Sequence, residues 1–565
     1  MNNGHTSSNL SRRSFLTGTA AAGALAAFGL AGCAPQNAGA GTAAESAAQE
    51  GSTSADWLGE APSFSDDHVV KTYDADVIVV GAGTAGMFAA CSAVENGASC
   101  IAIDKTTPDV VSNGIRDTMA AIGSSQQLAD GENPNKFDVI NEMVRQANGY
   151  GDDRLYRLWA DLSGEAMDWY EARLAEDGTP FKHEIDEHSH ETRFPTYEVG
   201  HSIQWEGKES NKQYACSVLR DYGISKGLEY HNETSMKSLI KENDRVVGLY
   251  AESPEGVIRY NAKNGVIMCT GGYASNEEMM KALQPESEAL CCIRKSFPTC
   301  VGDGIKACLW VGGVMDETHA AMIFDRGGIK PDAIDASEGK LFWMGSQPFL
   351  KVDLNGNRFT NESGCYDHIL HTSFNLPHQT YCMVWDANYQ EDIKRFETHG
   401  CSRLYPHANG TAPVMSIDVV NGMNAKLMED GYIVESDTIE GLAEKLGLPK
   451  DAFAKTVARY NELADNGEDT DFGKEAFRLS HLDTPPFRGI RMHGGYLITT
   501  LDGIKIDETM HVVDENGEAI PGLYCAGDCS GGYFGNSYVN LLSGDAAGRS
   551  VTFGRYAGKL AAAGE

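Results

Sequence analysis

Three glycines and an acid carry the first chemistry legible in this chain. Gly81, Gly83 and Gly86 stand in the run Asp76-Val-Ile-Val-Val-Gly81-Ala-Gly83-Thr84-Ala85-Gly86-Met-Phe-Ala-Ala. Each glycine has its own task in holding a dinucleotide. Gly81 permits a tight turn, Gly83 lets backbone approach a pyrophosphate, and Gly86 lets a helix pack closely on a strand. About 20 residues on, the apolar run Cys100-Ile-Ala-Ile ends in Asp104 and Lys105, where a ribose hydroxyl requires an acceptor. Thr270-Gly271-Gly272 closes a second apolar run and Gly527-Asp528 a third, so backbone is free to touch a flat cofactor at distant points. Gly302-Asp303-Gly304 is a turn into a helix start, with Asp303 placed as a cap. No Ser-His-Asp or Cys-His arrangement emerges, and no metal-ligand spacing. Cys525 and Cys529 are four apart and Cys291 and Cys292 adjacent, without any Cys-x-x-Cys-His.

The elements that must position these residues are of α/β type. Val77 to Val80 reads as a buried strand, the alanine-rich segment behind Gly83 as a helix, and Cys100 to Ile103 as the next strand. Helical patterns cover roughly 152–175 and 213–226, and a strand-rich patch runs from Ser235 to Tyr273. From about Thr318 these cues fade, then return near His493, and the chain finishes in an Ala/Gly-rich helix from Asp545. The division expected is a targeting segment (1–33), a flexible tether (34–73) and the first part of a dinucleotide-binding domain (74–317). An inserted domain (318–490) and the second part of the binding domain (491–565) complete it.

With 565 residues there is ample length for more than one core. A net charge of −34 argues against nucleic acid and anionic membrane surfaces as partners and also reads simply as a well-solvated surface. Most of the 14 cysteines, as at Cys91, Cys100, Cys269 and Cys308, sit in apolar contexts as small buried hydrophobes. Ser11-Arg12-Arg13-Ser14-Phe15-Leu16 is a twin-arginine export pattern. The stretch behind it, too short for a membrane span, ends in Leu30-Ala31-Gly32-Cys33. That ending resembles a lipoprotein processing box with Cys33 as lipid acceptor; ordinary cleavage nearby is the alternative.

Six elements in order resemble the flavoprotein family of fumarate reductase and succinate dehydrogenase. They are Gly81 to Gly86, Cys269-Thr-Gly-Gly-Tyr, Val301-Gly-Asp-Gly-Ile-Lys, Asn355-Gly-Asn-Arg358-Phe-Thr-Asn361-Glu362, Gly494-Gly495 and Pro521-Gly-Leu-Tyr-Cys-Ala-Gly-Asp528. The likeness is greatest to the secreted, soluble branch with urocanate reductases and 3-ketosteroid dehydrogenases. It implies FAD in a Rossmann-like domain built from the N- and C-terminal segments, with an α+β cap inserted between them. Asp104 would meet the adenosine ribose and Gly527-Asp528 the ribityl and pyrophosphate region, with Thr84, Ala85, Lys105, Asp303 and Gly495 also at the cofactor. In reductases of this branch, reduced flavin passes a hydride to the β-carbon of an activated alkene and a protein acid protonates the α-carbon.

The departures shift the expected substrate. Arg491 stands where fumarate reductases place a histidine, and the only histidine is displaced to His493. Their proton-donating arginine has no counterpart near Tyr389, their substrate-clamping arginine is replaced by Tyr533-Phe534-Gly-Asn-Ser-Tyr538, and Tyr366 replaces an arginine of their proton relay. A C4 dicarboxylate would lack its charge partners. Tyrosines donate a proton or hydrogen-bond a carbonyl while their rings stack on flat ligands. The expected substrate is therefore an enone or enoic acid, aromatic or polycyclic. Tyr538 leads as the acid and Tyr389 follows, with Tyr366, Arg491 and Glu362 as further catalytic candidates. His201, His493, Tyr533 and Phe534 are candidates for the substrate pocket, although any single tyrosine or loop histidine also reads as a packing residue. Electrons would come from a membrane-associated cytochrome or quinol-linked partner. The reverse reaction, a dehydrogenation, and a non-catalytic electron-transfer flavoprotein stay open on these residues.

Overall fold

The computed structural model describes residues 57–107, 118–185, 191–203, 214–294, 298–397, 404, 416–539 and 542–565. The export pattern, Cys33 and most of the tether lie outside the described residues. The tether is nevertheless shorter than expected, because strand β1 (Val69–Val80) begins inside it and pairs from Val69 onward.

The principal sheet contains β1, β2 (Cys100–Ile103), β3 (Glu229–His231), β4 (Gly256–Met268), β5 (His511–Val513) and β6 (Ala519–Cys525). Across the sheet they lie in the order β5-β6-β4-β1-β2-β3, parallel except between β5 and β6. Residues as distant in sequence as Val266 and Leu523 thus meet side by side, as expected of one domain built from both ends of the chain. The register brings four carboxyl ends into one row: Ile103, Val80 and Met268 are partnered in succession, and Met268 pairs with Cys525. The loops leaving these ends are tied together. Gly81 N–H donates to Ile103 O, Cys269 N–H to Val80 O, and Ala526 N–H to Met268 O.

Helix α1 (Thr84–Glu95) is almost wholly buried, which its alanines permit. One side meets the sheet and the other meets the C-terminal helix α2 (Asp545–Ala563). Gly554 and Gly558 of α2 make that approach possible, since a Cβ there would lie 2.3 Å from Ala85 O and 2.1 Å from Ala89 O.

The inserted cap has its own six-stranded sheet, which includes Leu350–Asp353, Thr380–Trp385 and Phe487–His493. Alternation along Thr380–Trp385 feeds two cores: Tyr381, Met383 and Trp385 enter one, Cys382 and Val384 the other. The strands leave the cap at Asp325–Arg326 and at Gly494, rather than at the expected 318 and 490. A boundary at 490 would cut the strand Phe487–His493. The chain turns at Gly494 instead, whose φ of +57° suits glycine and whose missing Cβ would meet Leu290 O at 2.2 Å.

Candidate active site

The dinucleotide cradle is built as its glycines demand. Gly81 has φ +90° and leaves no room for a Cβ, which would lie 2.4 Å from Cys269 O. A Cβ on Gly86 would fall 1.8 Å from Gly81 O, so only glycine lets α1 start against the turn. Gly83 differs, because a Cβ there would meet nothing within 4 Å. It occupies the N-cap of α1 without any side chain to satisfy the first amides. An open approach to the amides at a helix N-terminus fits a pyrophosphate.

Asp104, buried, braces this turn. Its Oδ2 accepts the Ala82 amide at 2.8 Å and its Oδ1 accepts the Thr106 amide and hydroxyl. Lys105 pairs with Asp303 at 2.6 Å, tying the end of β2 to the helix Asp303–Trp310. The cap of that helix is Gly302 in the left-handed region, with Asp303 as first helical residue. Gly271 (φ +74°) and Gly527 (φ +81°) need glycine backbone, and Gly272 passes Thr500 where a Cβ would lie 2.0 Å from the hydroxyl. The buried Thr270 hydroxyl lies beside the Cys529 thiol, which links the loops after β4 and β6. Asp528 accepts from the Thr499 hydroxyl at 2.9 Å and from Arg549 of α2 at 3.2 Å. Gly495 serves packing: its amide donates to Leu290 O, and a Cβ would lie 2.1 Å from Phe324 O.

Of the aromatic candidates, the structure gathers Tyr366, Phe534 and Tyr538. Tyr366 opens helix α3 (Tyr366–Ser373) of the inserted segment. Its ring stacks on Tyr538 at 6.4 Å and meets Phe324 edge-on at 4.3 Å, while Phe534 lies 5.5 Å from Tyr538. The Tyr538 hydroxyl accepts the Ala546 amide, the second residue of α2, at 3.4 Å. Tyr533 sits beneath Phe534, and its hydroxyl donates to Asp545.

Four expected site residues are placed elsewhere. Tyr389 packs in a cap core and its hydroxyl donates to Asn421 at 2.5 Å, because its helix (Tyr389–Phe396) turns that face inward. Arg491 donates to Ala333 O and to Leu446 O at the carboxyl end of the helix Ile439–Leu446, where the dipole favours a cation. His493 bonds the Thr380 hydroxyl and His378 O within the cap sheet, and burial lowers its pKa. His201 lies in a buried strand (Gly200–Ile203), between Ser124 Oγ at 2.6 Å and Val199 O, with its pKa pushed down to about 4 by burial. It is a neutral core histidine.

Glu362 is buried and clamped. Burial alone would raise its pKa, but Lys474 and Arg358 hold it below the usual value, Arg358 through two bonds of 2.8 and 2.7 Å. Asp325, Asp545 and Asp367 are among the buried acids that the sequence analysis did not single out. Asp325, where the chain enters the cap, is pushed up to about 6 by burial. Asp545 is pushed up to about 7 by burial, and Asp367 follows Tyr366. No motif marks them; the one local signal is the i, i+4 spacing of Asp545 and Arg549 on a helix face.

Among the described residues no cluster of three His, Cys, Asp or Glu side chains is arranged to hold a metal. No helix there is long and apolar enough to cross a membrane.

The FAD binding domain family matches residues 76–539, and the chain belongs to it. It is an FAD-dependent oxidoreductase. Relatives include a vinyl phenol reductase of Lactiplantibacillus plantarum, 27% identical over 501 residues and covering 86% of this chain and 96% of that one. A urocanate reductase of Eggerthella lenta is 26% identical over 503 residues, covering 87% and 75%. Two solved structures share the fold. A flavocytochrome c3 fumarate reductase in an open conformation gives a TM-score of 0.63 at 23% identity, covering 92% of this chain and 83% of that one. A 3-ketosteroid dehydrogenase of Rhodococcus jostii gives 0.66 at 21% identity, covering 88% and 99%.

Proposed function

We propose that this protein reduces the activated C=C bond of an aromatic or polycyclic enone or enoic acid, with Tyr538 as the acid. Bound FAD in its reduced form supplies the hydride. The residues of the chain supply the proton and the fit. The carrying observation is the position of the Tyr538 hydroxyl, at the N-terminus of α2 and inside an aromatic group. As the substrate's α-carbon gains its proton, the Tyr538 O–H bond breaks and charge moves onto the phenolic oxygen. The Ala546 amide and the positive end of α2 stabilise that charge. Phenolic groups keep their proton at neutral pH, the state an acid requires. Tyr366 and Phe534 present ring faces and edges to a flat substrate.

Export by the twin-arginine route, lipid attachment at Cys33 and electrons from a membrane-associated cytochrome or quinol-linked protein would make it a terminal step of anaerobic respiration. The motivation is the sequence alone: Arg12-Arg13, the Cys33 context, and no haem-attachment motif. The relatives named as vinyl phenol and urocanate reductases support an unsaturated small-molecule substrate. The test is anaerobic addition of cinnamate, 4-vinylphenol, urocanate and fumarate to dithionite-reduced holoenzyme. Flavin reoxidation by the aromatic members and not by fumarate is expected; reoxidation by fumarate alone would overturn the substrate class.

A further inference from the structure

We propose that Asp367 positions Tyr538 for proton transfer, an inference that rests on Tyr538 being the acid. Asp367 is the second residue of α3, directly after the tyrosine whose ring stacks on Tyr538. A carboxylate in a first helical turn ordinarily gains from the dipole while facing water. This one is only 2% exposed. Its Oδ2 accepts the Ser537 hydroxyl at 3.2 Å, and the backbone N–H of Tyr538 is directed at the same carboxylate. Burying a carboxylate is costly unless its oxygens are hydrogen-bonded, and burial does raise this pKa. Against that stand His371 at 3.8 Å, His368, the Ser537 hydroxyl and the Tyr538 amide.

If the only task were to join α3 to the loop before α2, apolar contact would suffice. What the carboxylate adds is direction. Both hydrogen-bond donors come from consecutive residues, 537 and 538, so the peptide carrying Tyr538 is held at two points. The ring is held at a third by Tyr366, and the hydroxyl at a fourth by the Ala546 amide. Asp367 meets the Ser537 hydroxyl and the Tyr538 backbone N–H, so it acts on the phenol through the chain that carries it and is a positioning residue.

The experiment compares Asp367→Asn and Ser537→Ala holoenzymes, alone and combined with Tyr538→Phe. Cinnamate and 4-vinylphenol serve as probes of single-turnover flavin reoxidation, with FAD content and Tm as controls. Each single change is expected to slow reoxidation by about tenfold to a hundredfold, the usual effect of misplacing a reacting group. Added to Tyr538→Phe, Asp367→Asn should cost nothing further, because it acts through the residue already removed. Independent, multiplying losses would overturn the proposal, as would unchanged rates in both Asp367→Asn and Ser537→Ala while Tyr538→Phe is slow. Unchanged rates in Tyr538→Phe would instead remove the acid assignment beneath it. A second measurement needs no substrate: the Tyr538 resonance in ζ-13C-tyrosine-labelled holoenzyme, assigned by its loss in Tyr538→Phe. Its titration midpoint should rise in Ser537→Ala, which leaves every charge in place, as the hydroxyl leaves the α2 amide. An unmoved midpoint in Ser537→Ala would overturn the proposal.

Discussion

The phenol of Tyr538 is where residue chemistry and helix electrostatics meet. Replacing it by Phe removes one hydroxyl, leaves the stacked ring, and should lower turnover by about 10²- to 10⁴-fold, the usual contribution of a general acid. FAD content should be unchanged, and stopped-flow reoxidation against flavin absorbance checks both. Sequence reasoning singled out Tyr538 and Tyr366 because both stand in stretches where the family carries arginines, and the two rings lie stacked in the structure. It misplaced Tyr389 and Arg491 for a common reason. Distance along the chain from a flavin motif says nothing about which face of a strand or helix a side chain leaves. Arg491 and His493 share one strand of the cap sheet, and both are spent on main-chain carbonyls. His201 shows the converse, a polar residue in an apparent loop that the fold uses as a buried strand residue.

At the scale of elements, the glycine turn makes two separable predictions. Gly86→Ala places a methyl group against Gly81 O, so both α1 docking and FAD binding should fail, read as lost flavin and a lowered Tm. Gly83→Ala adds its methyl where no protein atom lies, so the apoprotein should keep its Tm while FAD affinity falls. Equal FAD affinity in Gly83→Ala and the natural protein would show that the pyrophosphate does not approach there. This cradle was the most legible part of the chain. Strand, turn and helix are local and fixed by steric rules, while Asp104, expected at a ribose, accepts the Ala82 amide within the turn. The cap was least legible. Its strands alternate between two cores, and its charged groups are buried in pairs such as Arg358 with Glu362 and Asp469, a pattern that sequence periodicity reads as surface.

At the scale of the whole molecule, burial of neutral His201 links stability to pH. Its pKa is pushed down to about 4 by burial, from 6.5. The folded state holds it uncharged while the unfolded chain binds a proton below pH 6.5. Stability from this group is therefore full above about pH 6.5 and lost as pH falls toward 4, by roughly 3 kcal/mol in all. Denaturant melts of the natural protein and His201→Gln across pH 4 to 7 should converge at the acid end by about that amount. Parallel curves would show that His201 does not titrate between the two states. The larger claim is that the two ends of the chain hold FAD while one aromatic group, closed by the cap helix α3 and the N-terminus of α2, delivers a proton to an alkene carbon. The most direct test is single-turnover oxidation of dithionite-reduced holoenzyme by cinnamate, in the natural protein and in Tyr538→Phe. Rapid reoxidation with saturated product is expected in the first, and loss of about two orders of magnitude or more in the second at equal FAD content. Equal rates in the two proteins would contradict it.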